Sequence, residues 1–230
     1  MATAPAPSTH EGFLFDLDGT LVDSVYQHVL AWYEALGEEG IHLAVWRIHR
    51  RIGMSGGLFT SVLARETGSE LDPERLARIQ RRHHEAYVAR IASVHPLPGA
   101  RELLEALTAA QVPWAIATSG RIETARPSIE LLGLPFDGMT IVTRDQVRHA
   151  KPDPDLFQAA AARLGLPMTH ATIVGDSVWD MLAAERARGL GIGLLSGGYG
   201  EDELARAGAY RVFADPADML AHLDEIGGRR

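Results

Sequence analysis

Short apolar segments alternate with amphipathic segments over most of this chain of 230 residues. The stripe of Leu103, Leu104 and Leu107 has the spacing of a helix with one buried face. The apolar segments predict strands at Gly12–Phe15, Trp114–Ala117, Met139–Val142, Thr172–Val174 and Gly191–Leu195, followed by Tyr210–Phe213. This alternation predicts an α/β fold, a doubly wound parallel sheet of Rossmann-like type with helices on both faces.

The stretch from Ser24 to His95 interrupts this alternation, because its patterns are helical and it contains no convincing strand. Val25, Val29, Trp32 and Leu36 repeat at the spacing of one helix face. We therefore predict a small all-α cap domain at residues 24–96, inserted after the first strand into a core made of residues 1–23 and 97–230. Such an insertion lies over the carboxyl ends of the strands, where parallel sheets bind ligands.

Composition narrows the class of protein. Hydrophobic residues make up 46% of the chain and charged residues 23%, and no apolar segment approaches the roughly 20 residues of a membrane span. Residues 1–11 are small and polar without the features of a secretion signal, so we expect a loose tail and a cytoplasmic protein. We expect no membrane partner, and a monomer or a homodimer.

The net charge and the cysteine content indicate which partners and which metal ligands to expect. The net charge of −8 argues against binding to nucleic acid through its phosphates, which favours a small-molecule substrate. The chain has no cysteine, so a metal ion would bind through oxygen or histidine. Lys151 is the one lysine beside 21 arginines, which indicates a position that requires a compact ammonium group, although a chance survivor is an alternative.

Two carboxylates follow the first predicted strand in the segment FLFDLDGTLVDS, residues 13–24. Asp16 and Asp18 are two residues apart and face the same side of an extended chain, and Gly19 allows the turn that follows. Two anions this close need a cation, or one of them must stay protonated. The alternative is a carboxylate-rich turn that caps the next helix.

A second pair of acids follows the fourth predicted strand, where Gly175 leads into Asp176 and Asp180 comes four residues later. With Asp16 and the backbone carbonyl of Asp18, these side chains offer the hard oxygen ligands that Mg²⁺ prefers. Lys151 and the hydroxyl groups of Thr118 and Ser119 add a cation and hydrogen-bond donors near the same edge of the sheet.

The order of these motifs resembles the haloacid dehalogenase-like hydrolase superfamily, in its phosphatase and β-phosphoglucomutase-like branch with a helical cap. The resemblance implies that Asp16 is the nucleophile that forms an aspartyl-phosphate, and that Asp18 is the general acid and base. It implies that Thr118 and Lys151 bind the transferring phosphoryl group.

The resemblance also implies a cofactor and a set of substrate contacts. Mg²⁺ is the expected cofactor, with Asp16, Asp18, Asp176 and Asp180 as its ligands or their helpers. The expected partner is a small phosphorylated metabolite. Its predicted contacts are Thr118, Ser119, Gly120, Lys151, His28, Arg51 and Ser55.

Other branches of the superfamily differ from this chain at identifiable positions. Dehalogenases resemble a pattern without the acid at Asp18, and phosphonate-cleaving enzymes need a cap lysine that this chain does not have. Sugar-phosphate mutases resemble the chain at His28 but carry lysine and arginine where Ile52 and Gly56 stand. We therefore predict a magnesium-dependent phosphatase of a sugar phosphate, a polyol phosphate or phosphoglycolate. A β-phosphoglucomutase-like isomerase and a non-catalytic binding module are the alternatives.

His83 and His84 resemble a metal-binding pair only superficially. Neighbouring residues on a helix diverge by about 100°, whereas chelating pairs lie three or four residues apart. We therefore predict that both histidines lie on the surface.

Overall fold

The computed structural model describes residues 12–68 and 72–226. The predicted loose tail, residues 1–11, lies outside this range. In chain order the strands are β1 (Gly12–Phe15), β2 (Val22–Asp23), β3 (His95–Pro96), β4 (Trp114–Ala117), β5 (Thr140–Val142), β6 (Ala171–Gly175), β7 (Leu190–Leu194) and β8 (Ala209–Phe213). The strands predicted from the sequence agree with these to within one residue at each end.

Six of the strands in the described ranges form one parallel sheet with the order β5-β4-β1-β6-β7-β8. β1 lies in the middle, with β4 on one side and β6 on the other. The chain moves outward from β1 to β4 and β5 and then returns to β6 on the opposite side. This reversal opens a crevice at the carboxyl ends of the central strands, the place where doubly wound sheets bind ligands.

The helices in chain order are α1 (Val25–Glu38), α2 (Val45–His49), α3 (Gly56–Thr67), α4 (Pro73–Val88), α5 (Ala100–Ala109), α6 (Ile122–Glu130), α7 (Asp155–Leu164), α8 (Val178–Ala187), α9 (Glu201–Arg206) and α10 (Pro216–Ala221). Alternate residues of β1 point to opposite faces of the sheet. Phe13 and Phe15 pack with α5, α6 and α10, whereas Leu14 packs with α7 and α8. Helices therefore cover both faces, which confirms the predicted doubly wound fold.

Helices α1 to α4 lie between β2 and β3 and bury a cluster of their own. The predicted stripe of Val25, Val29, Trp32 and Leu36 belongs to this cluster, together with Ile48, Phe59, Leu63 and Ile79. The two-residue strands β2 and β3 pair antiparallel where the chain enters and leaves the helical part. The sequence analysis missed this short ribbon, and the division into domains at residues 24–96 stays a prediction.

No helix within the described residues is both long and apolar enough to cross a membrane.

Candidate active site

The predicted chemistry collects at the carboxyl ends of the three central strands. Asp16 follows β1, Thr118 follows β4, and Asp176 follows β6. All three side chains are buried. Because β1 pairs directly with both β4 and β6, residues that are far apart in sequence meet at one edge of the sheet.

Asp16, Asp176 and Asp180 form a compact group of acids. Each offers a carboxylate oxygen, and these oxygens lie within 4.8 Å of one another. Thr20 donates a hydrogen bond to Asp176 over 3.1 Å, and Ser177 holds Asp180 through its backbone N–H and its hydroxyl group. Buried oxygen donors at this spacing fit a hard divalent cation such as Mg²⁺.

Lys151 supplies the positive charge inside this group, and its side chain is fully buried. The ammonium group forms an ion pair with Asp16 and lies 2.8 Å from Oδ1 of Asp180. An ammonium between two carboxylates accounts for the single lysine of the chain, since a planar guanidinium would need more room.

Burial alters the acidity of the cluster. It raises the pKa of Asp16 from its ordinary value of 3.8 to about 7, with Lys151 opposing the rise and Asp180 and Asp18 adding to it. Burial also raises the pKa of Asp176 well above its usual range, and the charges of Asp180 and Asp16 act in the same direction. The acids therefore resist ionisation together unless further positive charge is present.

This acidity predicts how pH affects the stability of the metal-free protein. With raised pKa values, Asp16 and Asp176 bind more protons in the folded than in the unfolded chain, so their contribution to stability falls as pH rises from about 4 through 7. In EDTA we expect a lower melting temperature at pH 8 than at pH 5.5. Millimolar MgCl₂ should raise the melting temperature at pH 8 more than at pH 5.5. Equal Mg²⁺ effects at both pH values would contradict this reading of the cluster.

Asp18 takes a different orientation from Asp16. Its Oδ1 accepts a hydrogen bond from Ser24 over 2.6 Å and lies 3.2 Å from Nε2 of His28. Burial acts to raise the pKa of Asp18, but His28 and the hydrogen bond from Ser24 outweigh it and lower the pKa. The carboxylate of Asp18 is thus not a member of the acid cluster. The predicted contact of the metal ion with Asp18 through its backbone carbonyl stays a prediction.

Two glycines make room for the acids, and the sequence analysis singled out only one of them. Gly19 has a backbone φ of +83°, a conformation that residues other than glycine rarely adopt. A Cβ atom at Gly197 would lie 1.7 Å from Oδ2 of Asp176. The loop that contains Gly197 therefore packs directly against this carboxylate.

Replacing Gly197 with alanine should displace the Asp176 carboxylate. We expect Gly197→Ala to weaken Mg²⁺ binding about 10- to 100-fold, measured by calorimetric titration. Gly37→Ala is the matched control, because a Cβ atom at Gly37 in α1 meets nothing within 4 Å. The control should bind Mg²⁺ like the native protein. Unchanged Mg²⁺ affinity in Gly197→Ala would show that Asp176 does not ligate the ion.

A cavity of about 670 Å³ opens above these acids. Asp16 and Asp18 line its floor, and the core contributes the predicted substrate contacts Thr118, Ser119 and Gly120. The helical segment contributes the predicted contacts His28 and Arg51. The structure therefore brings most of the predicted site around one cavity.

Ser55 and Lys151 do not line the cavity, unlike the other predicted substrate contacts. The Ser55 hydroxyl group accepts a hydrogen bond from the backbone N–H of Leu58 and caps the start of α3, the common position for serine before the first turn of a helix. A contact of Ser55 with the substrate stays a prediction.

The prediction of His83 and His84 as surface residues is wrong. Both line the cavity and are only partly exposed. Nε2 of His83 lies 3.1 Å from Nδ1 of His28, and Nδ1 of His84 lies 2.9 Å from the hydroxyl oxygen of Thr124. No signal in the sequence of α4 showed that the helix turns these rings towards the core.

Comparison with known proteins identifies the class that this fold and site define. Residues 10–188 match the family model described as haloacid dehalogenase-like hydrolase. The chain belongs to the haloacid dehalogenase-like hydrolase family, as its motifs predicted.

Several individual proteins resemble the chain over most of its length. A crystal structure of a hydrolase from Pseudomonas syringae superposes with a TM-score of 0.92 at 54% identity, covering 94% of this chain and 99% of that one. Hexitol phosphatase A of Escherichia coli K12 is 34% identical over 177 residues, 75% of this chain and 77% of the relative. Phosphoglycolate phosphatase of Rhodospirillum rubrum is 33% identical over 215 residues, 90% of this chain and 88% of the relative.

Proposed function

We propose that this protein is a magnesium-dependent phosphatase that hydrolyses the phosphomonoester of a small metabolite through an aspartyl-phosphate on Asp16. The observation that supports it most is the grouping of Asp176, Asp180 and Lys151 around Asp16, which lines the cavity together with Asp18. The two relatives described above are phosphatases of a hexitol phosphate and of phosphoglycolate, which supports the same class of substrate.

The reaction assigns one task to each acid of the DxD motif. Asp16 attacks phosphorus, so that its carboxylate oxygen gains the phosphoryl group while the bond from phosphorus to the ester oxygen breaks. Asp18 lies on the same cavity and gives its proton to the departing alcohol oxygen. Asp18 then takes a proton from the water that attacks the aspartyl-phosphate, which releases phosphate and restores Asp16.

Positive charge and hydrogen-bond donors stabilise the transferring phosphoryl group. Lys151 pairs with Asp16 and therefore lies next to the oxygen that attacks. The Thr118 hydroxyl group lies on the cavity and accepts a hydrogen bond from the backbone N–H of Gly120 over 3.0 Å. Its own O–H proton is then available to donate to another group. Bound Mg²⁺ would neutralise the acids and polarise the phosphoryl oxygens, and Asp16, Asp176 and Asp180 are the side chains that would hold it.

Two positions in the cavity wall favour hydrolysis over isomerisation. Ile52 and Gly56 line the cavity at the positions where the mutase pattern carries lysine and arginine. An apolar side chain and a bare glycine offer no charge to hold the second phosphate of a bisphosphorylated sugar. Water is therefore the acceptor that fits best.

A substrate screen tests this proposal. Purified protein is incubated with sugar phosphates, polyol phosphates, phosphoglycolate and β-glucose 1-phosphate, with MgCl₂ or with EDTA, and both free phosphate and isomerised sugar are measured. We expect phosphate release that requires Mg²⁺. Isomerised product without free phosphate would establish the mutase instead, and no turnover of any ester would favour a binding module.

A further inference from the structure

A row of two imidazole rings connects the Asp18 carboxylate to helix α4. Nε2 of His28 lies 3.2 Å from Oδ1 of Asp18, and Nδ1 of the same ring lies 3.1 Å from Nε2 of His83. Both nitrogens of His28 are thus engaged, one by the core and one by α4. The orientation of His28 therefore depends on His83 as much as on Asp18.

Aromatic contacts fix the two rings in place. His28 stacks on Tyr87 with ring centres 3.8 Å apart and an interplanar angle of 3°. His83 stacks on Trp32 with ring centres 4.0 Å apart at 18°. Tyr87 is itself tied to the core, because its hydroxyl group shares a hydrogen bond of 2.6 Å with Ser128 of α6. Neither ring can rotate without losing a stacking contact.

Hydrogen-bond geometry links the two histidines to Asp18. An ionised carboxylate only accepts hydrogen bonds, so Nε2 of His28 is the donor to Asp18. Nδ1 of His28 then shares a hydrogen bond with Nε2 of His83, and the tautomers of the two rings set its direction. His28 therefore bridges Asp18 and His83.

Other features agree with a neutral ring at His83. Burial, with the neighbouring His28 and His84, holds the pKa of His83 well below its usual value. A neutral His83 keeps an acceptor or a donor available as the tautomer requires, whereas a protonated ring could only donate.

We propose that His83 is a positioning residue for proton transfer to the leaving alcohol, because its ring holds His28 in place against Asp18. This inference rests on the proposed phosphatase function. As the bond from phosphorus to the ester oxygen breaks, the proton of Asp18 passes to that oxygen, and the new carboxylate accepts from His28. Without His83, Nδ1 of His28 loses its partner, and only the stacking on Tyr87 and the contact with Asp18 hold the ring.

The dependence of kcat/KM on the leaving group separates a positioning role of His83 from a purely structural role. A simple alkyl phosphate such as glycerol 3-phosphate needs a proton on its poor leaving group, whereas p-nitrophenyl phosphate does not. General acid catalysis contributes about 10²- to 10⁴-fold to the rate of such reactions. We therefore expect His83→Phe to lower kcat/KM for glycerol 3-phosphate by about 10- to 100-fold. For p-nitrophenyl phosphate the expected loss is less than about 3-fold. The phenyl ring keeps the stacking on Trp32 but has no nitrogen.

A conservative variant at the same position tests whether a hydrogen-bonding group restores the activity. His83→Gln places an amide N–H near the former Nε2 and should recover most of the activity towards the alkyl ester. Val88→Ala, at an exposed position of the same helix, is the control for general damage to α4 and should behave like the native enzyme. If His83→Phe does not fold, His83→Asn, whose shorter amide does not reach His28, takes its place.

The outcomes distinguish the inference from the function on which it rests. Equal losses on both esters, or no rescue by glutamine, would overturn the role of His83 while leaving the phosphatase intact. A native enzyme that hydrolyses neither these esters nor any substrate of the wider panel would contradict the phosphatase itself. A selective loss on the alkyl ester with rescue by glutamine is the result that the structure predicts.

Discussion

Replacing Asp16 with asparagine is expected to abolish phosphatase turnover, with kcat falling by about 10⁴-fold or more, as the loss of a nucleophile does in other covalent enzymes. The amide is nearly the same size as the carboxylate but cannot attack phosphorus. The Asp16→Asn substitution adds no charge to a cluster whose burial already opposes ionisation, so the fold should remain. Phosphate release and circular dichroism measure the two effects.

The control for Asp16→Asn is the same change on the surface. Asp202→Asn removes one carboxylate whose side chain is 90% exposed and which pairs only loosely with Arg206 in the next turn. This variant should keep native kcat. Retained activity in Asp16→Asn at native purity would show that the nucleophile lies elsewhere.

Replacing Lys151 with methionine should produce the largest loss of stability. The substitution leaves Asp16 and Asp180 buried without their cation, and breaking a buried ion pair from one side typically costs about 3–5 kcal/mol. Turnover should also be lost. Urea unfolding at pH 8 in EDTA measures the free energy of unfolding, and the loss should be smaller at pH 5.5, where carboxyl groups with raised pKa values take up protons.

A second substitution tests whether the unpaired charge of the buried acids causes the loss of stability in Lys151→Met. Lys151→Met combined with Asp180→Asn removes one of the stranded acids and should recover part of the stability. Arg101→Met removes a cation from an exposed pair with Glu105 and should change stability little. A loss in Lys151→Met that is independent of pH and unaffected by Asp180→Asn would point to lost packing instead.

The core of the site could be predicted because a parallel sheet converts sequence order into proximity. Asp16, Thr118 and Asp176 each follow an apolar strand, and the carboxyl ends of neighbouring strands share one edge. Lys151 stood out by composition, since it is the one lysine of the chain. These signals are local in sequence, and the topology that joins them follows from the alternation of strands and helices.

The sequence did not predict the residues whose position depends on how the helical part lies over the core. His83 stands in a strongly polar stretch of α4, where no periodic signal shows which ring faces the cavity. The contacts of α4 with α1 and α6 decide this, and they are made across long separations in sequence. The strands β2 and β3 have two residues each and include Pro96, too little for a strand pattern.

Ser55 and Gly197 differ in how far the sequence indicates their position. Ser55 precedes a helix, and the preference of serine for the N-cap position is a local signal that predicts the capping hydrogen bond. Gly197 belongs to a Gly-Gly pair, which indicates a turn or a close approach. Its partner, Asp176, is determined only by the folded loop.

The most direct test of an aspartyl-phosphate mechanism is to trap the phosphorylated enzyme during turnover. Protein mixed with a good substrate and Mg²⁺ is quenched in acid within milliseconds, digested, and examined by mass spectrometry after reduction of acyl phosphates with borohydride. Reduction expels the phosphate and converts a phosphorylated aspartate into homoserine, so we predict homoserine in place of Asp16, formed only when substrate is present. Homoserine at another position, or rapid hydrolysis with no homoserine at any quench time, would contradict this mechanism.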